Sequence, residues 1–242
     1  MKSRTELDYL ATKLRKLLGA DISGPIDLFT LVLNKDDITL VFYPFEENVS
    51  GMCVKKARMI VINSNSTYGR QRFSLAHELY HLYFDESSEH EISFEYTKVK
   101  SVTEKEADIF ASYLLMPNHH FYEKVQEVKG KDIYLDIKKL IKLEQFFQVS
   151  HHALLTRLLD DSMMTEREVE LNKNNVLSIA KQLGYGQDLY KPYASMKNSK
   201  KVLGAYFKKI DELVEKSYIT DGRHREYLSD AFEACDFDDD GK

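Results

Sequence analysis

Apolar positions along the chain fall into two periods, and where the period changes the expected element changes with it. Leu7, Leu10, Leu14, Leu17 and Leu18 recur at helical steps behind Ser3-x-x-Glu6, the form of a capping box, and Gly19 stands near the end of that helix. Pro25 opens a second helix through Ile26, Leu28, Phe29, Leu31 and Val32. The period then shortens. Residues 38–43, 51–54 and 59–63 are rich in β-branched and aromatic side chains and predict three strands, the last two forming a hairpin that turns near Lys55-Lys56. After a polar stretch over 63–67 the helical period returns over 72–84. There Leu75, Leu79 and Leu82 form a core-facing stripe that Phe73, Tyr83 and Phe84 extend. A further helix runs over 102–117, capped by Ser101 or Thr103 and ended by Pro117, with Ala107, Phe110, Ala111, Leu114 and Leu115 on its inner face.

Residues 137–160 read as two helices around a tight turn at Gln148-Val149-Ser150, with Ser150 as cap of the second. The arrangement resembles a helix-turn-helix. A DNA-reading second helix would need an exposed, basic surface. This one offers Arg157, His151 and His152 and then Asp160-Asp161, which repel phosphates. A helical pair packed on the core is expected instead, and direct DNA binding is not. Beyond Glu166 the pattern loosens, with helices expected over 176–183, 202–218 and 223–232. Residues 236–241 resemble part of a calcium loop but lack the closing bidentate Glu, and read as a frayed acidic tail. The resulting organisation is 1–135, a catalytic domain; 136–165, the helical pair; and 166–242, a helical extension.

Composition narrows the class of protein. The chain of 242 residues is 43% hydrophobic, enough to bury a core, and its net charge of −5 argues against a protein whose main task is gripping phosphates. Two cysteines, Cys53 and Cys235, lie far apart and are expected as reduced thiols. The start has no apolar stretch after its basic residues, and no run approaches the ~18 apolar residues of a membrane span. A cytoplasmic protein is the expectation.

The candidate chemistry lies in His77-Glu78-Leu79-Tyr80-His81. Positions i and i+4 share one face of a helix, so His77 and His81 can hold one metal ion together, and Glu78 stands one step away, placed to act as a base on water. A catalytic zinc usually takes three protein ligands. The helix over 102–117 offers Glu104 and, about 200° around its axis, Glu106. Glu104 is favoured, because Asp108 follows it at i+4 and can accept the outer N–H of a ligand histidine. The loop expected over 85–100 joins the two ligand helices. It carries His90 and Tyr96, the candidates for stabilising a transition state, whereas His119 and His120 read as surface residues.

The stretch Arg72-Phe73-Ser74-Leu75-Ala76-His77-Glu78-Leu79-Tyr80-His81, followed by Glu104-x-x-Ala107-Asp108-x-Phe110-Ala111-x-x-Leu114-Leu115-Met116-Pro117, resembles the ImmA/IrrE family of metallopeptidases over roughly residues 1–165. The resemblance implies an α+β, zincin-like fold with a small antiparallel or mixed sheet and a mainly helical C-terminal region. It implies zinc held by His77, His81 and Glu104, with Glu78 as base and Asp108 where many members carry Asn. It further implies a cytoplasmic bacterial or phage-borne protease whose partner is a helix-turn-helix repressor of the XRE type. The alternative is a metal-containing sensor or anti-repressor that acts on its partner by binding. Where the family often has Gly this chain has Tyr80, which is expected to fill space beside the site and narrow the cleft.

Overall fold

The computed structural model describes residues 1–46, 49–86, 101–192 and 200–231, and the backbone of 90–94 and 232–233. Helix α1 (Arg4–Leu18) starts where Ser3 Oγ accepts the Glu6 N–H and closes at Gly19. Helix α2 (Leu28–Leu33) begins later than Pro25 suggests, because the Asp27 carboxylate accepts the Thr30 N–H and makes Asp27 the cap. Strands β1 (Thr39–Tyr43), β2 (Val49–Val54) and β3 (Met59–Asn63) follow, with a 3-10 turn at Lys55–Ala57 between the last two. Next come α3 (Tyr68–Phe84), β4 (His90–Phe94), α4 (Val102–Leu115), α5 (Asn118–Lys129), α6 (Ile137–Phe147), α7 (His151–Asp160), α8 (Glu166–Asn172) and α9 (Val176–Gln182). Strand β5 (Lys201–Gly204), α10 (Tyr206–Glu215) and α11 (Asp221–Glu233) complete the described chain.

The five strands form one mixed sheet in the order β4-β2-β3-β1-β5. β1 and β3 run parallel, with Phe42 beside Ile62; the other pairs are antiparallel. Leu40, Phe42, Ile60 and Ile62 are buried, as are Leu75, Ala76 and Leu79 of α3, Phe110 and Leu114 of α4, and Leu7 and Leu14 of α1. These side chains form one core, and each large one contributes about 1.5–3 kcal/mol by leaving water. α3 packs on β2, β3 and α4, so the histidine-bearing helix is wedged between sheet and helix layer. The fold is the expected α+β class.

Several elements depart from expectation. The supposed polar loop after α3 contains β4, which pairs with β2 at one edge of the sheet. Val202 and Leu203, read as the start of a helix, belong to β5, which pairs with β1 at the opposite edge. Gly204 ends the strand ahead of α10: its φ is +79°, and a Cβ there would run into the Ile38 carbonyl oxygen, so only glycine makes this turn. Two helices, α5 and α8, were not anticipated. α8 carries a full capping box between Thr165 and Glu168. His120 is not a bare surface residue, since its ring stacks on Phe146 at 5.4 Å.

The pair α6 and α7 turns at Gln148, which adopts the left-handed conformation, and Ser150 caps α7 as expected. Arg157, the basic residue that a DNA-reading helix would expose, is buried. Its Nε donates to Asp161 Oδ2 at 2.5 Å, its Nη1 donates to Ser112 Oγ at 3.3 Å, and its guanidinium lies over the rings of Tyr113 and Phe121.

Candidate metal centre

α3 carries the two histidines and is tied down near its start. Near its start the buried Arg72 donates from Nε to the Gln148 carbonyl oxygen and from Nη2 to the Ile26 carbonyl oxygen, each at 2.8 Å. Those bonds tie the helix to the α6–α7 turn and to the segment before α2. One turn apart on the protected part of α3, His77 and His81 point the same way and are 4% and 0% exposed. Opposite them Ser101 caps α4 by accepting the Glu104 N–H at 3.1 Å, which fixes the first turn from which the Glu104 carboxylate reaches across.

The three side chains converge on one point. His77 Nε2 lies 3.3 Å from Glu104 Oε2, His81 Nε2 lies 3.2 Å from Glu104 Oε1, and the two Nε2 atoms are 3.2 Å apart. Among the described residues this is the cluster of histidine, cysteine and carboxylate groups with metal-holding geometry. The outer nitrogens are also engaged. His77 Nδ1 bonds Asp108 Oδ1 at 3.0 Å, and His81 Nδ1 bonds Asp85 Oδ2 at 3.1 Å. A carboxylate at Nδ1 keeps an N–H there and turns Nε2 inward, so a cation that displaces the Nε2 proton meets the form that ligates a metal. Two imidazoles and one carboxylate are a standard donor set for a divalent transition metal with an open position. The residues present therefore fit such an ion.

Electrostatics point the same way. Burial would lower the His77 pKa, but its bonds to Asp108 and Glu104 and the nearby charge of Glu78 outweigh burial and raise it to about 10. His81 is raised as well, its burial overcome mainly by the Glu104 bond. Burial would raise the Glu104 pKa; instead the two histidines hold it well below the usual carboxylate range. A pocket that draws protons this strongly onto its imidazoles is a pocket built for positive charge.

Glu78 is fully buried, and its charge is felt by both imidazoles. Its carboxylate lies against Gly51 of β2. Gly51 and Asp85 are contributors that sequence reasoning passed over. Gly51 looked like an ordinary strand residue, and Asp85 looked like the first residue of a solvated loop. A carboxylate four positions after His81 was the available signal for Asp85.

Glu106, the rival ligand, faces elsewhere. Its carboxylate accepts from Tyr80 Oη at 2.5 Å, from the Lys2 backbone N–H at 2.5 Å and from Lys2 Nζ at 3.1 Å. Tyr80 does not narrow a cleft. It is fully buried, with its ring packed between α3 and α4 against Phe84 and Phe110. Lys2 Nζ also donates to Tyr80 Oη at 2.8 Å. Of the residues considered for transition-state stabilisation, Tyr96 and the His90 side chain lie outside the described part of the structure.

The family model of the IrrE N-terminal-like domain, Peptidase_M78, matches residues 26–159. No curated protein matches the chain. Among solved structures, a Mycobacterium tuberculosis transcriptional regulator is similar at 15% identity with a TM-score of 0.46. That similarity covers 64% of this chain and 47% of the other, so the chain spans about half the length of that structure.

Proposed function

Because the chain belongs to the Peptidase_M78 family of IrrE N-terminal-like metallopeptidase domains, we propose that it is a zinc-dependent endopeptidase in which His77, His81 and Glu104 hold the metal and Glu78 is the general base. The observation that carries this reading is the meeting of both inner histidine nitrogens with the Glu104 carboxylate within 3.3 Å, while each outer nitrogen rests on an aspartate. Zinc bound there supplies Lewis acidity at the scissile carbonyl and lowers the pKa of water towards ~7. Glu78 takes a proton from the attacking water as its oxygen bonds the carbonyl carbon. When the C–N bond breaks, its electron pair stays on nitrogen, and Glu78 returns the proton to the leaving amine. Asp108 and Asp85 keep the imidazoles in one tautomer throughout.

A peptidase family implies a protein substrate. β4 is an outer strand of the sheet, and an extended substrate can add to such an edge through main-chain hydrogen bonds. The proposed target is a helix-turn-helix repressor of the XRE type; its support is the family resemblance of the motif stretch. No helix among the described residues is long and apolar enough to cross a membrane, and the proposed place of action is the cytoplasm.

The test uses the zinc-loaded protein and a purified helix-turn-helix repressor of the XRE type. Glu78→Gln keeps the shape of the side chain and removes the base, so it should retain metal and lose cleavage by about 10²- to 10⁴-fold. If the variant inactivates the repressor as fast as the wild type, control is by binding and the peptidase reading is wrong.

A further inference from the structure

We infer that Lys55, at the turn of the β2–β3 hairpin, is a positioning residue for the metal centre, acting on His81 through Asp85; this rests on the metal-centre reading proposed above. Lys55 Nζ donates to Asp85 Oδ2 at 2.9 Å and to the Asp85 carbonyl oxygen at 2.7 Å. The same Oδ2 holds His81 Nδ1 at 3.1 Å. One oxygen therefore joins a lysine of the hairpin turn to a candidate metal ligand on the helix.

The three groups are enclosed. The side chains of His81 and Asp85 are 0% and 3% exposed, and that of Lys55 is 18% exposed. A carboxylate buried to this degree is costly unless a cation accompanies it, and Lys55 meets that need at hydrogen-bonding distance. Asp85 is also the first residue beyond α3, where the backbone has turned extended, so its carboxylate is not held by helix geometry. Lys55 grips both its side chain and its carbonyl, which leaves the carboxylate one orientation. A second clasp lies alongside: Arg58 Nη2 donates to Tyr83 Oη at 3.2 Å, with the guanidinium over the Tyr83 ring. The hairpin turn thus grips the C-terminal end of α3 at two points, Tyr83 within it and Asp85 just beyond, and Lys55 is the one that reaches the metal ligand. His77 has a different support: Asp108, on α4, has a side chain 30% exposed.

A lysine that only capped α3 would matter for stability and not for the metal. The test separates these roles by measuring cobalt(II) affinity through chelator competition and the visible absorption of the bound ion, together with melting of the chelator-treated protein. Lys55→Met should weaken cobalt binding by about 10-fold and alter the absorption envelope, and Lys55→Arg should restore most of the affinity. In the Asp85→Ala background, Lys55→Met should add little, because its route to His81 is already gone. Should Lys55→Met fold poorly, Lys55→Gln is read in the same way. Unchanged cobalt affinity in Lys55→Met, or the same further loss in the Asp85→Ala background, overturns the inference. Failure of the wild-type protein to bind cobalt at all overturns the metal-centre reading instead.

Discussion

Glu78 rests its carboxylate against the bare Cα of Gly51, so that a methyl group at position 51 would lie 3.0 Å from Glu78 Oε1 and 2.9 Å from the Val61 carbonyl oxygen. The Val61 contact is backbone and sits within the β2–β3 pairing, where Gly51 faces Ile62. It cannot swing aside as a flexible side chain can. Gly51→Ala should therefore displace β2 or the Glu78 carboxylate, at a cost of about 1–3 kcal/mol in stability. If Glu78 is the base proposed above, a shift of even part of an ångström costs it alignment, and peptide hydrolysis should fall by about 10- to 100-fold. Metal content should not change. Melting, metal analysis and initial rates on one preparation check all three; full activity in Gly51→Ala would mean that Glu78 needs no such fit.

The assignment of the third ligand predicts opposite behaviour for two neighbouring glutamates. Glu104→Gln should cost the protein most of its bound metal. Glu106→Gln should leave metal content intact and destabilise the fold by about 1–3 kcal/mol, since Glu106 is paired with Tyr80 and Lys2 at the seam of α1, α3 and α4. Metal content measured after dialysis against a weak chelator decides it. Metal loss in Glu106→Gln with retention in Glu104→Gln would reverse the assignment.

Much of this geometry was legible in the sequence because helical spacing does the work. Four residues bring His77 over His81, and four more relate Glu104 to Asp108, whatever the rest of the chain does. The hairpin over β2 and β3 was legible because β-branched runs flank a lysine pair. What escaped reading was set by contacts between distant segments. Tyr80 was read by its neighbours in sequence, yet its position depends on Phe110 of α4 and Lys2 before α1. Asp85 lies past the helix end, where spacing no longer fixes direction, and its place depends on Lys55 in another element. Val202 and Leu203 continue the apolar pattern of α10, so strand and helix merged until pairing with β1 separated them. In α5 only Phe121 and Val125 are buried, so its helical stripe is too short to stand out from the polar residues around it.

The bond between His77 Nδ1 and Asp108 Oδ1 predicts that Asp108→Ala weakens zinc affinity by about 10- to 100-fold while the fold persists. Asp108→Asn, which keeps an acceptor for the Nδ1–H, should lose less. Competition against a calibrated zinc chelator measures both. Equal affinity in wild type and Asp108→Ala would show that His77 is oriented by packing alone.

The histidine pKa shifts set a pH dependence whose sign differs with and without metal. The His77 pKa is about 10 in the fold, against an ordinary 6.5, so its contribution to stability is complete below 6.5 and lost as pH rises through 10. Glu104 is shifted downward from an ordinary 4.5, so its contribution is present above 4.5 and lost as pH falls towards its folded value. In chelator-treated protein this cluster should stabilise most between 4.5 and 6.5 and fade towards 10. A cation competes with the same protons, so the rise in melting temperature on adding zinc should grow between about pH 6 and pH 9. Melting curves across that range are the check. A zinc effect independent of pH would mean that the metal binds elsewhere.

The most direct test is X-ray absorption at the zinc edge on purified, zinc-loaded protein. Two imidazole nitrogens at about 2.0–2.1 Å and a carboxylate oxygen at about 2.0–2.2 Å are expected, with the imidazole scattering reduced in His77→Ala and in His81→Ala. Sulfur in the first coordination sphere, or a spectrum unchanged by both substitutions, would contradict a metal held by His77, His81 and Glu104.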